Sequence, residues 1–128
     1  GLGQLGKHGS LMNETLGSCF RMSYVLTDLP LVADEPVDIG VDLFCESCQL
    51  CTKHYPPNVI FPEKQLVRGE MKWFVDFDKC IPFFNDNDND NDGCGICIST
   101  CPWARSGLAP SIVQKMLRKK ARMLGAAQ

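Results

Sequence analysis

The sequence has neither a long apolar run nor an appreciable net charge. Its longest apolar stretch, residues 24–33, is broken by Thr27, Asp28 and Pro30, whereas a membrane-spanning helix needs about 20 consecutive apolar residues. Thirteen basic and fifteen acidic side chains give a formal net charge of -2. The composition therefore predicts no transmembrane segment, and no nucleic acid or other polyanion is expected as a partner.

The chain also lacks an initiator methionine and a recognisable signal peptide. It begins GLGQLGKHGS, which is polar and glycine-rich and has no charged head leading into an apolar segment. Its 128 residues suffice for one domain. We expect the sequence to be a piece of a longer protein.

Cysteine, by contrast, is abundant. Eight cysteines occur in 128 residues, and seven of them fall into two groups. Disulfides gain most from closing long loops, whereas Cys45, Cys48 and Cys51 lie within seven residues of chain. Such crowding favours metal ligation in a reducing compartment, so a cytoplasmic location is the preferred prediction. Cys19 belongs to neither group and is predicted to be a free, partly buried thiol.

The spacing of the two groups is typical of iron–sulfur ligands. Bacterial ferredoxins use C-x2-C-x2-C-x3-C-P, and the fourth cysteine of that run ligates the other cluster where two are present. Here the three-cysteine run is followed first by the single Cys80 and then by a final C-x2-C-x3-C-P that ends at Pro102. The same logic predicts a first cluster bound by Cys45, Cys48, Cys51 and Cys101, and a second bound by Cys80, Cys94 and Cys97.

One ligand of the second cluster is missing. Tyr55, followed by Pro56, occupies the position at which the fourth cysteine of the first run belongs. The second cluster is therefore either [3Fe–4S], or [4Fe–4S] completed by His54, by Tyr55 or by a solvent ligand. A site that no longer binds a cluster stably is the third alternative.

Zinc is the alternative metal for the cysteines. Structural zinc usually binds two C-x2-C pairs separated by a long spacer. Neither a run of three cysteines nor a final C-x3-C-P is required for it, so the spacing favours iron–sulfur clusters over zinc.

Calcium is the alternative suggested by the run NDNDNDNDG, residues 85–93. An EF-hand loop needs oxygen ligands at positions 1, 3 and 5, glycine at position 6 and a bidentate glutamate at position 12. With Gly93 at position 6, position 12 is Ser99, which supplies no bidentate carboxylate. Asp88, Asp90 and Asp92 do fill positions 1, 3 and 5. Because position 12 is unsuitable, a solvated surface loop is predicted in preference to a dedicated calcium site.

Local patterns predict a mixture of strands and helices with long loops. Residues 23–32 (SYVLTDLPLV) predict a strand that ends at Pro30, and residues 71–77 (MKWFVDF) a second short strand. Residues 1–21 show no clear period and predict a loop or a short irregular element. The first cysteine run is predicted to form a tight loop with a helical turn that stops at Pro56 and Pro57.

The C-terminal region predicts a basic amphipathic helix. Residues 111–124 carry apolar side chains at helical spacing and five lysines or arginines. Ser111 is the predicted N-cap and Gly125 the predicted stop. The apolar stripe is predicted to pack on the domain and the basic face to be solvated. The aromatic side chains of Trp73, Phe74 and Trp103 are predicted to keep water away from the clusters.

Several segments together resemble a known family. VDLFCESCQLCTKHYPP, GEMKWFVDFDKCIPFF and GCGICISTCPW are similar to the iron–sulfur segment of the corrinoid-dependent reductive dehalogenases and the epoxyqueuosine reductases. That segment typically shows FCxxCxxCxxxCPP, a Trp-containing strand ending DxxKC, and GCGxCIxxCPW. The upstream LGKHGSLMNETLGSCFRMSYVLTDLPL resembles the stretch before the clusters, so that the resemblance covers residues 3–122. Tyr55, the Asn–Asp run and the short chain are departures from the pattern.

The resemblance implies that the clusters relay electrons to a cobalamin held in a preceding, larger domain. We accordingly expect an α+β, ferredoxin-like iron–sulfur domain with long loops and a C-terminal helix. Its parts are the incomplete end of a nitroreductase-like corrinoid domain at 1–40, a dicluster ferredoxin-type domain at 41–109, and the basic helix at 110–128.

The function implied is an electron-transfer module that is not catalytic by itself. Its expected partners are an electron donor protein and a corrinoid-binding domain in the same or a separate chain, with the corrinoid itself held by a longer parent protein. One alternative is a fragment of a complete corrinoid-dependent reductase. The other is a structural domain, stapled by zinc or a cluster, that docks a partner through its basic helix.

Overall fold

The computed structural model describes residues 1–85 and 93–125. Within these ranges the chain combines short helices with two antiparallel sheets of two strands each. The predicted mixture of helices and strands is confirmed. None of the described helices is long and apolar enough to cross a membrane.

The chain begins with a hairpin of two very short strands. Strand β1 (Gln4–Leu5) pairs with β2 (Leu11–Met12), and the intervening turn is closed by a 2.9 Å hydrogen bond from the Gly6 N–H to the Ser10 carbonyl. The Oε1 atom of Gln4 accepts the backbone N–H groups of Ile39 and Val41 at 2.7 and 3.2 Å. The hairpin therefore fixes the place at which the chain enters the first cysteine run.

Two consecutive short helices carry that cysteine run. Helix α1 spans Val41–Ser47 and helix α2 spans Leu50–His54. The run was predicted to be a loop with one helical turn, and it is more helical than that. Its predicted end is confirmed, because α2 ends two residues before Pro56, whose ring disfavours helical geometry in the residue before it.

A second hairpin follows. Strands β3 (Gln65–Val67) and β4 (Glu70–Lys72) are antiparallel, and their turn has positive φ at Arg68 (53°) and Gly69 (85°), as tight two-residue hairpin turns require. The predicted strand at 71–77 is thus shorter than expected, and beyond Lys72 only Val75 forms a further bridge, to Ile60.

The remaining elements are helical. Helix α3 spans Phe77–Phe84, α4 spans Ile96–Ser99, a 3₁₀ turn spans Pro102–Ala104, and α5 spans Ala109–Gly125. The predicted C-terminal helix and its stop at Gly125 are confirmed. The Ser111 cap is wrong, because the helix starts at Ala109 and the Ser111 hydroxyl donates to the Leu108 carbonyl at 2.8 Å. Proline is tolerated in a first helical turn, so Pro110 does not delay the start.

Helix α5 docks through its apolar stripe, as predicted. Val113 and Met116 are buried, and α5 packs on α1 and on the 3₁₀ turn. A Cβ atom added at Gly40 would lie 2.6 Å from the Met116 Cβ. Glycine at position 40 therefore allows the close approach of α5 to the start of α1, and an ion pair between Lys120 and Asp38 lies at the same contact.

The strand predicted at residues 23–32 is absent. Residues 19–39 contain no helix or strand, and the side chains of Tyr24, Val25, Leu26 and Val32 are 87–96% exposed. Strand propensity is realised only where a neighbouring strand and a packing surface are present. Within the described residues this segment has neither.

The interior consists of two hydrophobic clusters, and both contain cysteines. The first surrounds the completely buried Trp103 and includes Met12 and Val41, and the second surrounds Tyr55. Cys45 and Cys101 belong to the first cluster, Cys51 belongs to the second, and Cys80, Cys94 and Cys97 pack against the second.

His8, in the turn of the first hairpin, makes folding stability depend on pH. Its side chain is buried, its Nε2 atom has no partner among the described residues, and burial lowers the pKa of the imidazole from 6.5 to about 4. The folded state therefore favours neutral His8, so stability is fully present above pH 6.5 and is lost as the pH falls towards 4. We expect a loss of about 2 kcal/mol in unfolding free energy between pH 7 and pH 5.

Urea unfolding of the cluster-loaded chain at these two pH values measures that loss. His8→Gln should flatten the pH dependence, because glutamine does not titrate. His54→Gln, which changes an exposed imidazole, is the matched control. An equal pH dependence in wild type and His8→Gln would contradict the prediction.

Candidate metal centres

The first candidate centre gathers four thiols around the two short helices. Cys45 lies on α1, Cys48 in the connection between the helices, and Cys51 on α2, while Cys101 immediately precedes the 3₁₀ turn. Cys45, Cys51 and Cys101 are buried and Cys48 is half-buried. The fold thus brings the distant Cys101 to the three-cysteine run.

The thiols of the first centre influence one another's pKa values. Burial, with smaller contributions from the neighbouring Cys101 and Cys51 thiols, raises the pKa of the Cys45 thiol to about 12. Burial likewise raises the pKa values of Cys51 and Cys101, with contributions from Cys48 in each case. Four thiols that repel each other as anions become stable thiolates when a cationic centre compensates their charge.

Nearby N–H groups partly offset the raised pKa values of these thiols. The backbone N–H of Lys7 lowers the pKa of Cys45, and that of Thr52 lowers the pKa of Cys51. The backbone N–H groups of Trp103 and Ala104 lower the pKa of Cys101, as does the nearby Ser18 hydroxyl, which is buried and forms no hydrogen bond of normal geometry among the described residues. Donors of this kind stabilise thiolates and tune a cluster bound to them.

A buried lysine completes the first centre. The Lys7 side chain is 1% exposed, its Nζ donates to the Cys48 carbonyl at 3.2 Å, and it lies 4.8 Å from the centroid of the Trp73 ring. Burial lowers the pKa of Lys7, and the Cys45 and Cys51 thiols oppose that shift. The sequence prediction missed this residue, because nothing in the spacing of LGKHGS distinguishes Lys7 from a surface lysine.

The second candidate centre lies where α2, α3 and α4 meet. Cys80 lies on α3, Cys97 on α4 and Cys94 just before α4, and all three are half-buried. Burial, with smaller contributions from Cys94, Cys51 and Cys80, raises the pKa of Cys97 to about 11. Cys51 therefore lies between the two centres: its packing places it in the second hydrophobic cluster, while its charge acts on Cys45 as well as on Cys97.

Tyr55 points into the second centre. Its side chain is 2% exposed, and its hydroxyl oxygen lies 3.1 Å from the Cys80 Sγ and 4.0 Å from the Cys94 Sγ. Burial and the neighbouring thiols raise its pKa. His54 is exposed at the end of α2, and no hydrogen bond joins it to these cysteines among the described residues. Of the two adjacent candidates for the missing ligand position, the fold directs only Tyr55 to the thiols.

Cys19 is exposed, and the prediction of a partly buried thiol is wrong. It begins the segment 19–39, which has no regular structure, and only the end of that segment, at Val37 and Ile39, reaches the first hydrophobic cluster. Cys19 is thus separate from both candidate centres.

In residues 1–85 and 93–125, no group of three or more His, Cys, Asp and Glu side chains surrounds one point closely enough to hold a single metal ion. The carboxylates of the calcium alternative, Asp88, Asp90 and Asp92, lie outside the described residues.

Aromatic side chains cover the first centre. Trp103 is fully buried, packs edge-to-face on Phe44 with ring centroids 5.1 Å apart, and shares a hydrophobic cluster with Cys45 and Cys101. Trp73 is buried in the same cluster, and its indole N–H donates to Asp42 at 2.8 Å. Phe74 is half-buried and pairs with Phe61. The two tryptophans therefore contribute to the apolar surroundings of these cysteines, whereas Phe74 packs elsewhere.

Comparison with known proteins identifies relatives. No family model matches the chain. It is 29% identical over 84% of its length to the tetrachloroethene reductive dehalogenase of Sulfurospirillum multivorans, and 32% identical over 80% to the trichloroethene reductive dehalogenase of Dehalococcoides mccartyi. It is also 31% identical over 82% of its length to the epoxyqueuosine reductase of Cyclobacterium marinum. The chain spans only 23%, 18% and 34% of these three relatives.

Proposed function

The chain belongs to the family of the reductive dehalogenases and epoxyqueuosine reductases, and from this premise we propose that it is an iron–sulfur electron-transfer module of a corrinoid-dependent reductase. The observation that carries the proposal is the grouping of seven cysteines into two buried or half-buried centres. Their spacing matches ferredoxin-type ligation. The proposed domain is ferredoxin-like and extends over residues 41–109.

The donor set fits iron–sulfur clusters. The first centre offers Cys45, Cys48, Cys51 and Cys101, and the second offers Cys80, Cys94 and Cys97. When bound, such clusters would supply carriers of single electrons. The chain's own contribution is to compensate the thiolate charge with N–H donors and with Lys7, and to exclude water with Trp73 and Trp103.

The exposed apolar segment supports a module within a larger protein. Leu29 and Leu31 continue the row of exposed apolar side chains in residues 24–32, whose apolar members are 65–96% exposed. Thr27, Asp28 and Pro30, which interrupt the row, are exposed as well. Water-exposed apolar rows of this length indicate a contact surface. We assign residues 1–40 to the end of a corrinoid-binding domain whose remainder covers this row. The reduction of an organohalide or of epoxyqueuosine would then be the activity of the longer protein.

Anaerobic reconstitution with iron and sulfide tests the proposal. Iron and zinc are quantified, and EPR spectra are recorded before and after reduction with dithionite. Iron–sulfur clusters that accept electrons from dithionite are the expected result. Zinc retained without iron would overturn the electron-transfer function and support a structural domain instead.

The buried Lys7 ammonium should set the reduction potential of the first centre. Reduction adds negative charge, which a nearby cation in a water-poor site stabilises. Lys7→Met is expected to lower the potential in a mediated redox titration followed by EPR. The control Lys53→Met, which removes an exposed charge on α2, should change it far less because solvent screens that charge. An unchanged or higher potential in Lys7→Met would contradict this role.

A further inference from the structure

Tyr55 occupies the place of a cluster ligand without being a cysteine, and the structure indicates what it does there. We propose that the second centre assembles a [3Fe–4S] cluster on Cys80, Cys94 and Cys97, and that the Tyr55 phenol fills the corner at which a fourth iron would otherwise sit. This inference rests on the proposed iron–sulfur function and specifies one of its two sites.

The first step concerns the direction of the side chain. Tyr55 follows α2 directly, and its N–H donates to the Cys51 carbonyl at 3.2 Å, so the backbone at position 55 is fixed by the helix that carries Cys51. The ring packs edge-to-face on Phe83, with centroids 5.6 Å apart and planes at 88°. Phe83 lies on α3 together with Cys80. The ring is thus held between the helices that present the thiols and is withdrawn from solvent.

The second step concerns size. A tyrosine hydroxyl stands much farther from its own Cα than a cysteine sulfur does. At the same position, a cysteine would stop short of the space between the thiols, whereas the Tyr55 hydroxyl reaches within 3.1 Å of the Cys80 sulfur. The phenol therefore takes up the volume that an iron atom and its ligand would share. Because Tyr55 is 2% exposed, it also leaves no route for a solvent ligand at this corner.

The third step concerns the hydroxyl group. Once Cys80 binds iron as a thiolate, its sulfur has no proton to donate, so the hydrogen bond between the two groups runs from the Tyr55 O–H to the sulfur. Assembly then releases three protons, one from each cysteine, and the phenol keeps its own. Tyr55 is in this account a positioning residue that shapes the site and stabilises the Cys80 thiolate, and it is not an iron ligand.

Three variants of the full chain test the proposal after anaerobic reconstitution. In Tyr55→Cys, the shorter side chain empties the corner and supplies a fourth thiolate. In Tyr55→Phe, the ring remains and only the hydroxyl is lost. His54→Ala removes the adjacent exposed imidazole and is the matched control. The readouts are iron per chain, the EPR spectrum of the oxidised protein, and the potential of each cluster.

The wild type should contain about seven irons per chain and show a [3Fe–4S] signal when oxidised. Tyr55→Cys should lose that signal and gain about one iron. Tyr55→Phe should keep both the iron content and the signal, with a lower potential for the second cluster because a donor to its thiolate is gone. His54→Ala should match the wild type.

Each contrary result has a distinct meaning. Two [4Fe–4S] clusters in the wild type, or a second cluster that changes type or disappears in Tyr55→Phe, would overturn the role of Tyr55 while leaving the electron-transfer function intact. A wild-type chain with only the first cluster would also overturn the proposed role of Tyr55. A chain that binds no iron at all would overturn the proposed function itself.

Discussion

Replacing Cys45 by serine is expected to remove the first cluster and to leave the second in place. Cys45 is 5% exposed on α1 and faces Cys51 and Cys101, so no solvent ligand can take its position without opening the hydrophobic cluster around Trp103. The serine hydroxyl is also a harder donor, and soft thiolates are the ligands that iron–sulfur clusters select. Iron content should fall by about four per chain, and dithionite should reduce one cluster where it reduced two.

Cys19→Ser is the matched control for this experiment. It makes the same chemical change at an exposed thiol that belongs to neither centre, so iron content and EPR spectra should equal those of the wild type. Full iron content in Cys45→Ser would mean that the first centre is held by other residues. Loss of iron in Cys19→Ser would mean that the exposed thiol takes part in assembly.

Truncating Trp103 to alanine should destabilise the chain more than any other single aromatic truncation. Trp103 is the largest fully buried side chain, its indole N–H donates to the Asn13 carbonyl at 3.1 Å, and its own backbone N–H approaches Cys101. Removing a buried tryptophan typically costs about 3–5 kcal/mol, which is a large part of the stability of a small domain. Anaerobic urea unfolding of the cluster-loaded protein measures the loss.

Two further variants make the Trp103 result specific. Trp103→Phe keeps a six-membered aromatic ring in the core but lacks the N–H donor to the Asn13 carbonyl. It should lose less stability than the alanine variant. Tyr24→Ala truncates an aromatic side chain that is 87% exposed and should change the unfolding free energy by no more than about 0.5 kcal/mol. A loss below about 1 kcal/mol in Trp103→Ala would show that this core is far more adaptable than buried cores usually are.

The features that the sequence predicted correctly are those set by local patterns. The apolar spacing of Val113 and Met116 is sufficient to place helix α5 and its buried face. Pro56 is sufficient to end α2, since its effect on the preceding residue does not depend on the rest of the fold. The family was identified from motifs, because cysteine spacing is preserved along the chain however the chain folds.

The features that were missed depend on residues distant in sequence. Residues 23–32 have high strand propensity, but a strand needs a partner, and none of the described residues provides one. His54 and Tyr55 are equivalent candidates in the sequence. The packing of Phe83 against the Tyr55 ring and the 3.1 Å distance from the Tyr55 hydroxyl to the Cys80 sulfur show which of them faces the thiols. Lys7 is buried beside the Cys48 carbonyl and the Trp73 ring, which are distant in sequence, and its own neighbours in the sequence carry no sign of that.

The position of Cys101 also has a consequence for how the protein is made. Cys45, Cys48 and Cys51 leave the ribosome together, but Cys101 follows fifty residues later. At typical elongation rates, that interval lasts roughly 3–10 seconds. During this time the first three thiols are present without the fourth, in a nascent chain that cannot yet bury them beneath Trp103. Complete insertion of the first cluster therefore waits until Cys101 has been synthesised, and three unprotected thiols must survive until then.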